Sequence, residues 1–494
     1  MKLSQLIDGV RVKKMFQTVY GKMVTTHDVE IRNIHYDSRK VKNGDLFVAI
    51  VGKNLNGHRF IQDAISNGAK VVVLEDDLIF PDSFFMHNGV VKIVVESSRI
   101  ALAKISGNYY GNPSQKIFLI GVTGTNGKTT VTHLIKQILE NKNQKVGLIG
   151  TIFYDTGSEI LETTYTTPES LEINFLLSQM LENNCKYCVM EVSSHSIELD
   201  RIYSLDFDIG IFTNLSQDHL DFHISIENYF NTKKKFFDSL KSTAIAITNS
   251  DDKYGIEILN NTSAKKVFYG IEKKSDYKLE NLVMDFSSVS FSISNSNFTT
   301  QFLGKFNAYN ILASYSALSE CKFNLNANDI EKLKPVLGRF HSFKLPNDAI
   351  VIVDYAHTPD ALENVLKTIQ QIILNNGKII TVFGCGGNRD KSKRKLMGKI
   401  AENFSYKIIF TSDNPRNENV EEIIEDIKSE IIHIDKLQIE VDRKKAIYLA
   451  LSLANKNDIV LIAGKGHENY QIIGEKKIPF SDISEVENFI LSKR

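Results

Sequence analysis

The stretch "IFLIGVTGTNGKTTVTHLIKQIL", Ile117 to Leu139, constrains the fold more than any other part of the chain. An apolar run of strand length meets a glycine-rich turn. Val131, Leu134, Ile135, Ile138 and Leu139 then recur at helical spacing. A strand, a tight loop and a helix with one apolar face open an α/β unit. In that setting the loop is built for phosphate. Backbone N–H groups and the helix N-terminus face the anion, Lys128 adds a positive charge, and Thr129 is placed for a Mg²⁺ that bridges phosphates. The strict phosphate-loop pattern needs glycine at 122, where Val122 stands. The loop instead reads G-T-N-G-K-T-T, Gly124 to Thr130, comprising Gly124, Thr125, Asn126, Gly127, Lys128, Thr129 and Thr130.

The rest of the chain keeps the same style. The first hundred residues alternate short apolar runs with turns, as in "GDLFVAIVG", "AKVVVLEDD" and "VVKIVVESS". "NYYGNPSQK" has turn chemistry and reads as a linker. "CVMEV" and "DIGIFTN" predict further strands, "FSSVSFSIS" predicts antiparallel strands at a margin, and a helix begins near "NAYNILASYSAL". "KLKPVLGRFHSF", broken by Pro335 and Gly338, marks a second junction. Beyond it, "AIVIVDYAH", "KIITVFGCG", "YKIIFTSDN" and "DIVLIAGKG" are nearly all apolar, as expected of parallel strands covered on both faces. The expectation is an α/β protein of three domains over 1–113, 114–337 and 338–494. The first is α/β, the second has a mainly parallel sheet around the phosphate loop, and the third is Rossmann-like.

Lysine plus arginine equals aspartate plus glutamate at 59 each, so no bulk field favours nucleic acid or membrane. No apolar run approaches the ~20 residues of a membrane span. "MKLSQLIDGV" has no apolar core after its lysine, so no signal peptide is expected. Four cysteines are too few for a disulfide framework. Cys185 and Cys188, in "CKYC", have redox-like spacing, but they lead into an apolar strand and lack a second pair, so they read as structural. A soluble cytoplasmic protein is the expectation.

Candidate chemistry gathers around the loop. Glu191 ends a strand in "MEVSSH", and "FTNLSQDHLDFH" carries His219, Asp221 and His223 where another strand ends. Carboxylates and imidazoles beside a phosphate loop make a plausible metal site. In "ISIENYFNTKKKFFDSL", Ile226, Phe230, Phe237 and Leu240 form a helical stripe, and Lys233 takes the missing step. Such a lysine must snorkel, pair or be modified; on spacing alone, snorkelling is the plainest reading.

"GTNGKTT", "YTTPES", "EVSSH", "NLSQDHLDFH", "KFNAYN", "GR", "DYAHTPDAL" and "GKGHE" stand in the order found in the Mur ligases of peptidoglycan synthesis, which the chain resembles from about Asp37 to Glu468. The resemblance implies a cytoplasmic, monomeric, ATP-dependent amide ligase with neither nucleic acid nor membrane as partner. A UDP-sugar domain, a central ATPase and a closing C-terminal domain are implied. ATP would be contacted by the loop, Asn307, Asp354 and His357. Lys128, Lys233, His219 and Arg339 would be catalytic. Two Mg²⁺ ions would be held with Thr129, Glu191, His219 and Lys233, the last as a CO₂-derived carbamate. UDP-N-acetylmuramoyl-L-alanyl-D-glutamate would meet Tyr36, Ser38, Lys53, Asn54, Leu55, Thr166, Thr167, Ser193 and Arg201. Leu199 replaces a glutamine common in the family, and His341 replaces a glutamate that often follows "GR".

The family's D-N-P-R motif accompanies meso-diaminopimelate, and lysine-adding members usually lack its arginine. Here it is Asp413, Asn414, Pro415 and Arg416, joined in the resemblance by Arg389, Gly464 and Glu468. The physics agrees: a guanidinium grips the distal carboxylate with two parallel hydrogen bonds, and Glu468 accepts the ammonium. A lysine-adding relative, a folylpolyglutamate synthase and an inactive nucleotide-binding scaffold are the alternatives.

Overall fold

The computed structural model describes residues 1–52, 55–284, 288–373 and 376–493; Lys53 and Asn54, expected at the UDP-sugar, lie outside them. Two compact units make up the chain. The first is Met1–Ile120 with Gln144–Asp208, and the second is Gly121–Asn143 with Ile209–Arg494. Residues 144–208 thus group with the opening segment. Arg99 faces Glu169 at 3.4 Å, and the Tyr36 hydroxyl donates to Glu172 at 2.8 Å.

In the first unit, strands Ile34–His35, Asp45–Val48, Ala69–Leu74 and Val91–Val95 run parallel. Val12–Phe16 closes that sheet antiparallel to Val91–Val95. Strand Asp45–Val48 is buried throughout, and its alternate residues feed the cores on both faces. Val146–Ile149 and Tyr187–Glu191 form a second parallel pair, flanked by the hairpin Tyr154–Asp155 and Ile160–Leu161. Cys185 and Cys188 are buried free thiols, as the structural reading expects.

In the second unit, Ile209–Phe212, Ile245–Asn249 and Lys265–Gly270 run parallel, and the expected marginal strands are Val289–Ile293 and Ser296–Thr300, antiparallel to each other. Helix Lys128–Asn141 buries the predicted stripe completely. A second, six-stranded sheet has five adjacent parallel strands, Ile350–Asp354, Ile459–Ala463, Ile379–Phe383, Lys407–Phe410 and Leu437–Ile439. His341–Lys344 is its antiparallel edge. Each central strand is mainly apolar and covered on both faces, by one core against helix Pro359–Ile372 and another against Arg443–Leu453.

A buried ion pair pins the ends of two of these strands. Arg443 donates to both oxygens of Asp482, at 2.7 and 2.8 Å, and to the carbonyls of Ser412 and Ala463, at 3.3 and 3.0 Å. Both side chains are fully buried. Removing one partner strands a charge in low dielectric, at a cost of about 3–5 kcal/mol, whereas an apolar pair of similar volume restores much of it. Urea unfolding of Arg443→Met should therefore show a loss of that order, largely recovered in Arg443→Met/Asp482→Leu.

Candidate active site

The phosphate loop is cut to shape by its glycines. Gly124 has φ of +149° and Gly127 has φ of +87°. A Cβ on Gly124 would lie 1.9 Å from the Thr213 hydroxyl, and one on Gly127 would lie 2.5 Å from Asn310 Oδ1. The segment after strand Ile209–Phe212 fixes the loop: Thr125 N–H donates to Asn214 O and Asn126 N–H to Asn214 Oδ1, both at 2.9 Å. Lys128 Nζ donates to Gly124 O and Thr125 O at 2.9 and 2.8 Å. Arg339 donates to the Thr129 hydroxyl at 3.0 Å and lies over the Tyr355 ring. Glycine cradle, helix N-terminus, lysine and threonine hydroxyl together fit a Mg²⁺-bound polyphosphate.

Lys233 does not snorkel. Its side chain is 1% exposed, and its ammonium donates to Gly124 O at 2.9 Å and lies 4.6 Å above the Tyr229 ring centroid. Burial, then the charge of Lys128, drives its pKa well below the usual lysine value. Lys234 instead pairs with Asp238 at 2.7 Å, and Lys235 is exposed.

The residue that organises "DHLDFH" is Asp218, which the sequence reading passed over. Its carboxylate lies 3.3 Å from His219, 3.7 Å from His357 and 3.6 Å from Lys393. Despite burial, the charge of His219, the hydrogen bond to His357 and the charge of Lys393 hold its carboxyl well below the ordinary range. His223 packs its ring on Tyr229, and Asp221 is exposed. Among the described residues no three His, Cys, Asp or Glu side chains gather as metal ligands. Asp218, His219, His357 and Lys393 here form an ion cluster. Nearby, Asn126 donates to Asp360 at 2.8 Å.

Two expected nucleotide contacts are committed to the fold. Asp354 accepts from the N–H groups of Phe340 and Ala356 at 2.6 and 2.7 Å. Asn307 donates to Leu303 O at 2.8 Å and accepts from Asn310. His467 stacks near Tyr355, and burial, reinforced by Arg339, pushes its imidazole down to about 3.

In the first unit, Thr166, Thr167, Ser193 and Arg201 share one hydrogen-bonded network. Thr167 donates to Glu191 O at 2.7 Å and accepts from Ser193 N–H at 3.1 Å. Arg201 donates to Thr167 O at 2.9 Å, pairs with Glu169 at 2.9 Å and covers the Tyr165 ring. Thr151 links Thr166 to Glu191: its hydroxyl donates to Glu191 at 3.0 Å and lies 3.1 Å from the Thr166 hydroxyl, and its N–H reaches the other Glu191 oxygen at 2.7 Å. Ser38 is buried, with its carbonyl accepting from Asn67 at 2.9 Å, while Leu55 is exposed.

The expected amino-acid residues occupy loops beyond three parallel strands of the last sheet. Arg416 has φ of +52° and donates to Gly387 O at 2.8 Å and Asn414 O at 3.4 Å. Burial, then the like charge of Arg389, lowers its pKa. Gly464 has φ of +110°, and a Cβ there would meet Asp413 Oδ2 at 2.8 Å. Pro415 is buried, and its carbonyl accepts from Glu418 N–H at 3.0 Å. Glu468 does not simply await an ammonium: its Oε2 already accepts from Lys465 at 2.6 Å and Asn414 at 2.9 Å.

Three family domains match: "Mur ligase family, catalytic domain" over 30–110, "Mur ligase middle domain" over 122–318 and "Mur ligase, glutamate ligase domain" over 338–466. UDP-N-acetylmuramoyl-L-alanyl-D-glutamate–2,6-diaminopimelate ligase of Clostridium botulinum is 45% identical, covering 93% of this chain and 95% of its own. The chain belongs to the Mur ligase family. The like-named protein of Clostridioides difficile is 43% identical over the full length of both. A solved structure of a ligase of that name is 30% identical, covers 97% of this chain and 99% of its own, and superposes with a TM-score of 0.65. MurF ligase from Thermotoga maritima in complex with ADP shares the fold, at 22% identity and a TM-score of 0.62, over 94% of this chain and 98% of its own.

Within this Mur ligase, Asp218 and Asp360 were not singled out from sequence because they find their partners, His357 and Asn126 respectively, only through the fold. His467 gives a pH signature. Its folded pKa lies below the unfolded 6.5, so its contribution to stability is complete above that value and is lost as pH falls towards about 3. His467→Gln should lose less stability than the wild type between pH 7 and about 4.5, measured by denaturant titration at each pH.

Proposed function

We propose that the protein is an ATP-dependent ligase that adds meso-2,6-diaminopimelate to UDP-N-acetylmuramoyl-L-alanyl-D-glutamate during cytoplasmic assembly of the peptidoglycan precursor. The observation that carries the amino-acid assignment is the joining of the loops bearing Arg389 and Arg416, where Gly387 N–H donates to Asn414 O at 3.0 Å and Arg416 to Gly387 O at 2.8 Å, beside Asp413, Asn414 and Glu468. A half-buried Arg416 beside an exposed Arg389 favours an anion, and diaminopimelate offers a distal carboxylate that lysine lacks. A site arranged for that carboxylate rejects a ligand without it, because its own charges go unpaired.

The γ-carboxylate of the D-glutamyl residue attacks the terminal phosphorus of ATP. A carboxylate O–P bond forms, the bond to the ADP oxygen breaks, and an acyl phosphate results. The diaminopimelate amine then attacks the acyl carbon. The C–N bond forms, inorganic phosphate departs and the amine releases a proton. Lys128 and Arg339 concentrate positive charge at the phosphate loop, where charge migrates during transfer. Gly124 to Thr130, with Asn307, Asp354 and His357, form the nucleotide site of this reading. Tyr36, Ser38, Leu55, Thr166, Thr167, Ser193 and Arg201 form the UDP-sugar dipeptide site, together with Lys53 and Asn54. Arg389, Asp413 to Arg416, Gly464 and Glu468 take the amino acid.

Mg²⁺, two ions in this reading, would neutralise phosphate oxygens, with Thr129, Glu191, His219 and Lys233 as its protein-side set. Lys233 would serve as a carbamate. Support comes from its burial without a carboxylate within ion-pair distance among the described residues. Burial favours the neutral amine, the form that adds CO₂. Three functional parts, 1–113, 114–337 and 338–494, and a monomeric enzyme acting away from nucleic acid and membrane complete the proposal. No helix among the described residues is long and apolar enough to cross a membrane.

The direct test is phosphate release with UDP-N-acetylmuramoyl-L-alanyl-D-glutamate and each candidate acceptor. Turnover with meso-diaminopimelate and not lysine is expected; the opposite preference overturns the assignment. Arg416→Lys should raise KM for diaminopimelate at least about tenfold and KM for ATP less than about twofold. For Lys233→Ala, kcat should fall by about 100-fold or more, partly restored by short-chain carboxylates, while Lys235→Ala, on the exposed face, stays near wild type. Equal losses in both variants would remove Lys233 from the site.

A further inference from the structure

Arg394, on helix Ser392–Phe404, is wholly buried, and its hydrogen bonds among the described residues go to Gly386, Glu418 and Asp426, none of them an expected substrate residue. Its guanidinium donates to Gly386 O at 3.1 Å, Glu418 Oε2 at 3.0 Å and Asp426 Oδ2 at 2.8 Å. Its Nε is buried without an acceptor among the described residues. Glu418 extends the brace from the other side. It accepts the backbone N–H of Asn388 and faces Lys391 at 3.2 Å, and Arg394 first of all holds its carboxyl down at about 2.

Arg394 and Glu418 therefore join the loop bearing Arg389 to the loop bearing Arg416. Direct bonds complete the seam: Gly387 N–H to Asn414 O at 3.0 Å, Arg416 to Gly387 O at 2.8 Å and Asn417 N–H to Asn388 Oδ1 at 3.2 Å. The loops meet so closely that a Cβ on Gly387 would lie 1.9 Å from Pro415 O. A buried ion pair adds little net stability, and this one leaves a donor unsatisfied. Its clearest effect is geometric. It fixes the backbone of the two loops that carry Arg389 and Arg416, and so the places from which their like charges reach an amino acid with two carboxylates.

We propose that the Arg394–Glu418 pair is the positioning element of the amino-acid site, setting the spacing of Arg389 and Arg416 and with it the preference for an acceptor carrying a second carboxylate. The proposal rests on the ligase reading above. It makes Arg394 and Glu418 positioning residues, acting through the two arginines and not on substrate.

The test compares full-length wild type, Arg394→Met and Glu418→Gln by acceptor and ATP kinetics, Tm and hydrogen–deuterium exchange of segments 384–390 and 413–418. Both variants should raise KM for meso-diaminopimelate about tenfold or more, leave KM for ATP within about twofold, and exchange faster in those two segments. Their effects should be non-additive in the double variant, because the two residues form one network. An unchanged acceptor KM in folded protein overturns the proposal. So does an equal rise in both KM values with a lowered Tm, the signature of general destabilisation. Glu418→Gln, an isosteric change at a partly exposed side chain, decides the matter should Arg394→Met not fold. Wild-type protein inactive with diaminopimelate would refute the ligase reading instead; the exchange data would still judge the brace, and unaltered exchange would refute it.

Discussion

A parallel strand covered on both faces has no room for an unpaired polar side chain until it ends, and that constraint decides where chemistry sits in this molecule. Strands Ile350–Asp354, Ile379–Phe383, Lys407–Phe410 and Ile459–Ala463 are apolar through their buried lengths up to their ends, save Thr381, whose hydroxyl is paired with that of Ser405 at 2.7 Å. Polar residues crowd the turns that follow: Asp354 to His357, Gly384 to Asp390, Thr411 to Glu418 and Gly464 to Glu468. The phosphate loop obeys the same rule, beginning where strand Phe118–Thr123 leaves its sheet. Loops so placed inherit the rigidity of the strands only at their roots. Their tips need braces, and the fold supplies buried arginines. Arg443 ties the roots at Ser412 and Ala463, and Arg394 ties the tips at Gly386 and Glu418.

That arrangement explains what could be read from sequence. Apolar runs of strand length and the 3.6-residue stripe of Lys128–Asn141 announce themselves because burial dictates them residue by residue. The phosphate loop is legible because its glycines, lysine and threonine are contiguous. Lys233 was legible as an anomaly, a cation where the stripe demanded an apolar residue; its full burial against Gly124 O needed the fold. The family resemblance named Arg389, Arg416 and Glu468, but not the state of their side chains. Glu468 already holds Lys465, and Arg416 already holds a loop carbonyl.

Other residues were invisible for a physical reason. Asp218 is one acid among several in a polar loop, and nothing in its neighbours predicts that His357 and Lys393, far along the chain, will flank it. Arg394 belongs to "KSKRK", a run that reads as a solvated face, whereas the helix turns Lys393 and Arg394 inward and leaves Lys395 half exposed. The division of the chain was equally hidden. Residues 144–208 follow the phosphate loop in sequence but pack with the opening segment through pairs such as Arg99 and Glu169.

The proposed carbamate can be weighed against the charges around the phosphate loop. Lys128 and Lys233 both donate to Gly124 O, each at 2.9 Å. A carbonyl dipole solvates two ammonium groups but cancels neither charge, and burial amplifies their repulsion. The charge of Lys128 is accordingly among the causes that depress the Lys233 pKa. An arriving polyphosphate relieves Lys128, because it brings negative charge to the mouth of the loop. Lys233 gains less from the same anion, since it is sealed behind Thr123 and Tyr229. Loss of its proton removes the repulsion, and the proposed carbamate goes further by turning repulsion into attraction. The same buried position that makes a lysine costly as a cation makes it suitable as an anion facing a positively charged loop.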